Sequence, residues 1–430
     1  MSNGKFFKPA SSLVNLVKCL ILLLPLNCAA DTLDQLISAA LRGHPSILAQ
    51  RAQMQAAESG VDTARWQFFP TPSIAIENAT ASASDRNYQG DSTATSLRLQ
   101  QPLWTGGRLT AGMDKAEASV IVSQASLEET RQQLALRVVQ SYGDWLAAYL
   151  KTQAYEKSQV THARLHAQVK QRIAQGVSSE SDLIQAIARQ ESLAADISVA
   201  RAQKDVALAR LGQLLGRPIN DASLTSQFSI PRPVSAELPV LLNQALLGNP
   251  AVNKAQAQAK VQESVIDERR ADLSPEVYLR AEQQYGNYSY RDSPSESRLF
   301  IGLSSRFGAG LSSLSNVEGA KSQYQAALAE IEVQSRIVNE QVLADYALAT
   351  STEGRLVPLK ASVKAAEDVS QSYDRQFLAG RKTWLDVMNA ARELTQTEVQ
   401  LAEIKASHVV VTWRLAIYTE GLASMIGRAP

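Results

Sequence analysis

Hydrophobic and polar positions along this chain follow two periods, and the order of those periods is itself repeated. Apolar residues at helical spacing from Leu33 to Trp66 predict a leading helix of about 35 residues. A proline-bounded segment then switches to period two, with Ile74 and Ile76 on one face and Ala75 and Glu77 on the other. A polar turn region from Ser82 to Ser92 follows, and the return strand sets Thr95, Leu97 and Leu99 against Ser96, Arg98 and Gln100. The two strands predict a hairpin over residues 73–103. From Gly107 to about Ala174 the chain holds no proline and few glycines, and is rich in Ala, Gln, Glu and Leu. A helix there is on the order of 100 Å long. Its Leu134, Val138, Tyr142, Trp145 and Tyr149 recur at spacings of three and four, the coiled-coil period. A turn at Gln175-Gly176 reverses the chain into a returning helix from about Ser179 to Leu215. Stacked end to end, the leading and returning helices match the long one. They predict an antiparallel coil whose free tip lies at Gly176 and whose base meets the hairpin.

The whole arrangement occurs twice. Pro45, Glu58, Pro70 and Glu77 reappear 205 residues later as Pro250, Glu263, Pro275 and Glu282. The offset then becomes 204, pairing Gly106 with Gly310, Ala116 with Ala320, Tyr142 with Tyr346, Gly176 with Gly380 and Asp182 with Asp386. In the second hairpin, over 276–307, Val277, Leu279 and Ala281 oppose Tyr278, Arg280 and Glu282. Leu299, Ile301 and Leu303 likewise oppose Arg298, Phe300 and Gly302. Long and returning helices from Ser315 to Ala379 and from Lys382 to Ala423 complete this copy, with Gly354 and Pro358 predicting a kink that copy one lacks. The first copy thus spans 31–216 and the second 240–430. Between them, 217–239 reads as a surface linker holding Pro218, Pro231, Pro233 and Pro239.

Composition narrows the choice. The 430 residues are 45% hydrophobic and 20% charged with net charge +1, a folded chain without the basic footprint of a nucleic-acid binder. Residues 1–30 read as a secretory signal peptide: Lys5 and Lys8, an apolar run from Leu13 to Leu26, then Cys28-Ala29-Ala30. A permanent anchor would need a run of roughly 20 apolar residues, which Asn15, Lys18 and Pro25 interrupt. Lipidation of Cys28 fits poorly, since large polar Asn27 precedes it. Both cysteines, Cys19 and Cys28, lie in this segment, so the mature chain has no thiol for a disulfide, metal or nucleophile. No later stretch reaches the length of a spanning helix, so any membrane insertion runs through strands.

A strand face that is apolar on one side and charged on the other suits a soluble half-buried sheet or a barrel wall. Joined to an export signal and a long coil, it favours the wall, with Arg98, Arg280, Glu282 and Arg298 toward the lumen. Trp104, Tyr285, Tyr288 and Tyr290 suit either an interfacial belt or simple packing. His162 and His166 have the i, i+4 spacing of metal ligands but no carboxylate or third ligand nearby, and His44 and His408 stand alone. No cofactor, metal or catalytic set emerges, which argues against an enzyme.

These residues resemble the TolC family of outer-membrane efflux and secretion proteins over nearly the whole mature chain. The likeness rests on the duplicated Gly43-His44-Pro45 and Gly248-Asn249-Pro250, the run Gln101-Pro102-Leu103-Trp104-Thr105-Gly106-Gly107, and the tip turns at Gly176 and Gly380. It implies a mainly α fold with membrane β: an antiparallel helical tunnel in the periplasm, and four strands per subunit completing a twelve-stranded barrel in the outer membrane of a homotrimer. It implies a tip aperture gated by Asp182 and Asp386, with Phe377 and Lys382 at constraining positions. Phe377 lacks a hydroxyl for a hydrogen-bonded latch, and Asn389 stands where some members carry a second acidic ring. The same aspartates also fit capping boxes with Ser179 and Thr383, and the two roles are compatible. The unequal tips, Glu180 against Trp384 and Val177 against Arg381, suggest that one coil moves.

The resemblance further implies a periplasmic adaptor and an inner-membrane pump as partners. An ABC transporter and a protein cargo of type I secretion, with a large adhesin as one candidate, are preferred. Drug efflux with a proton-driven pump is the alternative, followed by a structural periplasmic coiled-coil protein and a secreted enzyme.

Overall fold

The computed structural model describes residues 31–82, 84–225, 237–291, 294–305, 308 and 312–426. Residues 1–30, read above as a signal peptide, lie outside them, as do Pro231, Pro233, Gly310 and the end of the second hairpin. The first copy contains α1 (Leu33–Gly43), α2 (Pro45–Trp66), β1 (Thr71–Asn78), β2 (Thr93–Trp104), α3 (Arg108–Ala174) and α4 (Glu180–Leu215). The second contains α5 (Leu238–Gly248), α6 (Pro250–Ala271), β3 (Glu276–Tyr285), β4 (Glu296–Ser304), α7 (Ser312–Leu378) and α8 (Trp384–Thr419), with a short α9 (Leu422–Ile426). Corresponding helices have equal lengths: 11, 22, 67 and 36 residues in each copy.

The single leading helix that periodicity predicts is in fact two. His44 sits in extended conformation before Pro45, because the proline ring crowds the α region of the preceding residue. Pro45 then opens α2 at a position whose N–H needs no partner, while the Ser46 N–H donates to His44 Nδ1 at 3.2 Å. Asn249 and Pro250 repeat the device, with the Ala251 N–H donating to Asn249 Oδ1 at 2.9 Å. At the other end of the fold, α7 stays helical through Pro358. Pro358 and Gly354, the residue whose carbonyl loses its partner, are both exposed, so water can take that carbonyl. The second returning helix stops at Thr419, where Gly421 turns with φ of 78°.

The four strands form one antiparallel sheet in the order β1-β2-β3-β4. The inner pairing, β2 with β3, joins the two copies. Its register sets Arg98 opposite Glu282 and Leu99 opposite Ala281. Below the sheet, α3 lies against α1, α2 and α4 of its own copy and against α6 and α8 of the other, while α7 packs on α5, α6 and α8. The main core gathers Leu36, Ile47, Val138, Tyr142, Trp145, Leu211, Val409 and Ile417. Tyr142, Trp145 and Tyr149 form a ladder with ring centroids 5.4 and 5.3 Å apart. The first part of the linker packs on that ladder. Tyr142 Oη donates to the Thr225 carbonyl at 2.6 Å, Trp145 Nε1 donates to Asp221 Oδ1 at 2.9 Å, and Leu224 is buried. Residues 217–225 thus run over the surface but are tied to the core through Leu224, Asp221 and Thr225.

Candidate functional site

Two regions carry the candidate chemistry, the helical tip and the sheet. At the tip, α3 and α7 end in the same Schellman turn. The Gly176 N–H bonds the Ile173 carbonyl and the Val177 N–H the Arg172 carbonyl; Gly380 and Arg381 do the same to Phe377 and Gln376. Gly176 and Gly380 hold φ of 73° and 72°, a conformation that suits glycine. Each turn leads into a capping box. The Ser179 N–H donates to Asp182 Oδ2 at 3.1 Å and the Asp182 N–H to Ser179 Oγ at 3.3 Å. Thr383 and Asp386 exchange the same bonds at 3.0 and 3.2 Å, and the Thr383 hydroxyl adds one at 2.8 Å.

The Thr383 hydroxyl and backbone N–H, helped by Lys382, hold the Asp386 carboxyl below the usual carboxylate range. Lys382 Nζ lies 4.0 Å from Asp386 Oδ2 and 4.2 Å from the centre of the Tyr373 ring. Phe377 is buried: its ring packs on Trp384 at 5.6 Å, under the Arg172 guanidinium at 4.6 Å. Within one chain, then, Phe377 belongs to a tip core with Leu165, Val169, Val387 and Met388. Arg172 gave no signal in the sequence, whereas Trp384 stood out as the residue that breaks the match with Glu180. An Arg164–Asp374 ion pair ties α3 to α7 just above.

The sheet separates its faces as the alternation predicts. Ile74, Ile76, Leu97, Leu99, Leu299, Ile301 and Leu303 lie on one face and are exposed, Ile301 by 78%. So large an apolar surface on one sheet needs a non-aqueous neighbour. Trp104 and Tyr285 lie at opposite ends of this face, since Trp104 pairs with Val277 across a bulge and Tyr285 with Thr95, and both are half exposed. Exposed Trp66, Phe68 and Phe69, which periodicity did not single out, join Trp104 at the helical end. The opposite face carries Arg98, Arg280, Glu282 and Arg298. Arg98 Nε lies 3.1 Å and Arg280 Nε 3.8 Å from Glu282 Oε2, and Arg298 pairs with Glu296.

His162 and His408 are buried, and burial pushes both imidazoles below their usual pKa. His408 Nδ1 meets Thr352 Oγ1 at 3.1 Å. Among the described residues no three His, Cys, Asp or Glu side chains gather as a metal set, and no helix is long and apolar enough to cross a membrane.

Comparison with known proteins agrees with this architecture. The family model described as outer membrane efflux protein matches residues 36–217 and 241–415, two segments whose starts differ by the repeat offset. The alkaline protease secretion protein AprF of Pseudomonas aeruginosa is 24% identical over 78% of this chain and 70% of its own. The outer membrane protein TolC of Vibrio cholerae is 21% identical over 90% of each. The solved structure of the outer membrane protein VceC from Vibrio cholerae shares the fold, with a TM-score of 0.77 at 17% identity over 90% of this chain and 96% of that one. The chain belongs to the TolC-like family of outer membrane efflux proteins, which are passive channels and not enzymes.

Proposed function

We propose that three copies of this chain form an export duct, closing their twelve strands into a barrel in the outer membrane and their coils into a periplasmic tunnel. The observation that carries the reading is the sheet itself. Its apolar face is exposed, and β1 and β4 each have a neighbour on one side only. Lipid cannot satisfy such edges, so closure with further copies is the physical route into a bilayer. A periplasmic adaptor and an inner-membrane pump open the tip, where Asp182 and Asp386 of three chains give six carboxylates around the aperture and attract cations. Their capping bonds use Oδ2 in both cases, so capping fixes the carboxylates in place without removing their charge.

The preferred cargo is a protein driven by an ABC pump, supported by the likeness to a protease secretion protein. The family's description as efflux proteins supports small-molecule export by a proton-driven pump as the second reading. Crosslinking in cells followed by purification of the channel distinguishes them. Recovery of an adaptor with an ABC ATPase is the expected result. Recovery of a proton-driven pump replaces type I secretion by efflux, and a chain recovered only from the soluble periplasm overturns the duct.

A further inference from the structure

We propose that the polar face of the sheet is a carboxylate-binding station, which holds acidic segments of a polypeptide cargo as they cross the barrel. The inference rests on the barrel reading above and adds the class of cargo.

The register brings the charges together. Ser73, Arg98, Glu282 and Arg298 stand side by side across the four strands in one row, and Thr71, Gln100, Arg280 and Phe300 form the next row toward the helices. Three guanidiniums thus meet two carboxylates, Glu282 and Glu296. Their depths differ. The Glu282 side chain is only 10% exposed, whereas Arg98 and Arg298 are 48% and 45% exposed. Glu282 lies beneath and Arg98 faces outward, while Arg298 is held by Glu296, itself 43% exposed, and donates to Gln284 Oε1 at 3.4 Å. Arg98 meets Glu282 through Nε, leaving its two terminal nitrogens to a ligand, and a guanidinium fork matches a carboxylate in geometry.

Arg280 is fixed by a different contact. Its guanidinium carbon lies 4.7 Å from the centre of the Phe300 ring and 5.9 Å from that of Tyr278. Its Nε is buried and makes no hydrogen bond. The Tyr278 ring in turn lies against Gly302, where a Cβ would come within 2.3 Å of the ring. Glycine at 302 therefore lets the ring lie on the strand. Ring and Phe300 together form the shelf that carries Arg280.

The other acids of this face have partners at its two ends. Glu276 pairs with Arg108 at 3.7 Å near the helices, and Glu77 meets the Tyr288 hydroxyl at 3.5 Å near the loops. The middle band is left with excess positive charge. A trimer sets nine such guanidiniums and six carboxylates around one lumen, an excess of one positive charge per chain, with the opposite charge of the tip at the far end. Cargo that is rich in Asp and Glu meets a favourable site there, and cationic cargo meets a barrier.

The test uses the full-length channel in planar bilayers, with oligoglutamate or oligolysine added on the loop side. Oligoglutamate is expected to block the wild type in a salt-dependent manner, and oligolysine is not. Arg98→Gln with Arg298→Gln should weaken the oligoglutamate block by about tenfold, and Arg98→Lys with Arg298→Lys should retain most of it. Stable insertion of each variant as conducting channels, whatever their unit conductance, shows that the barrel has folded. Conductance with no oligoglutamate block, or with equal block in the Gln variant, overturns the station and leaves the barrel reading standing. A wild type that forms no channels overturns both.

Discussion

The two coils of this chain have the same lengths and different surroundings. In copy two, α8 buries 18 residues; its counterpart α4 buries six, because α8 lies between α3 and α7 whereas α4 flanks α3 from outside. Val410 on α8 is 8% exposed, and Val206, its counterpart 204 residues earlier, is 50% exposed. Gly143 shows the same split. A Cβ there would lie 2.0 Å from Val410 Cγ2, so glycine is what lets α3 and α8 approach. Its counterpart is Ala347, on an exposed face of α7. Within one chain, then, duplication has repeated the elements and not their packing: α8 is enclosed by its own chain, and α4 keeps a face free for the neighbouring copy of the proposed ring.

Three substitutions probe that difference, the first with the largest effect. Trp145 is buried, whereas its counterpart is only Ala349. Trp145→Ala should cost about 3–5 kcal/mol, read from urea unfolding of the purified protein. An effect under about 1 kcal/mol would mean that the aromatic ladder does not anchor residues 217–225. Next, Gly143→Ala should cost about 1–3 kcal/mol by overpacking against Val410. Adding Val410→Ala should then cost less than the sum of the two single changes in a double-mutant cycle; strict additivity would place the close approach elsewhere.

The smallest effect is at the caps. Ser179→Ala and Thr383→Ala should each cost about 1 kcal/mol. Asp386 is held below its usual range, so its contribution is present above the unfolded value of about 3.9 and fades as pH falls through the lower folded value. Thr383→Ala should therefore flatten the acid limb of the stability curve measured by circular dichroism, and an unchanged limb would count against the cap.

The long helices, the hairpins and the tip turns were legible because each rests on a local rule: unbroken helix formers, period-two alternation, glycine at positive φ. The capping boxes were legible for the same reason, since Ser179 and Asp182 lie three residues apart. The break at His44 was encoded just as locally by Pro45, but the apolar period runs straight across it and hides it. What no local pattern carries is which helix packs on α3. Without the position of α8, neither the need for Gly143 nor the burial of Phe377 under Arg172 can be read. The arginines were legible as sharing the polar face of the sheet, yet the depth of Glu282 beneath Arg98 depends on the pairing of β2 with β3, nearly two hundred residues apart.

That pairing has a consequence for assembly. A ring of six hairpins made from separate copies would require six molecules to meet. In the proposed trimer, carrying two hairpins on one chain makes every second seam an event within a molecule, so three molecules suffice and dilution opposes closure far less steeply. Fusion also relaxes symmetry. In a six-membered ring every residue change appears six times, whereas in the proposed trimer a change in one copy appears three times, which lets the two coils diverge while the ring stays closed.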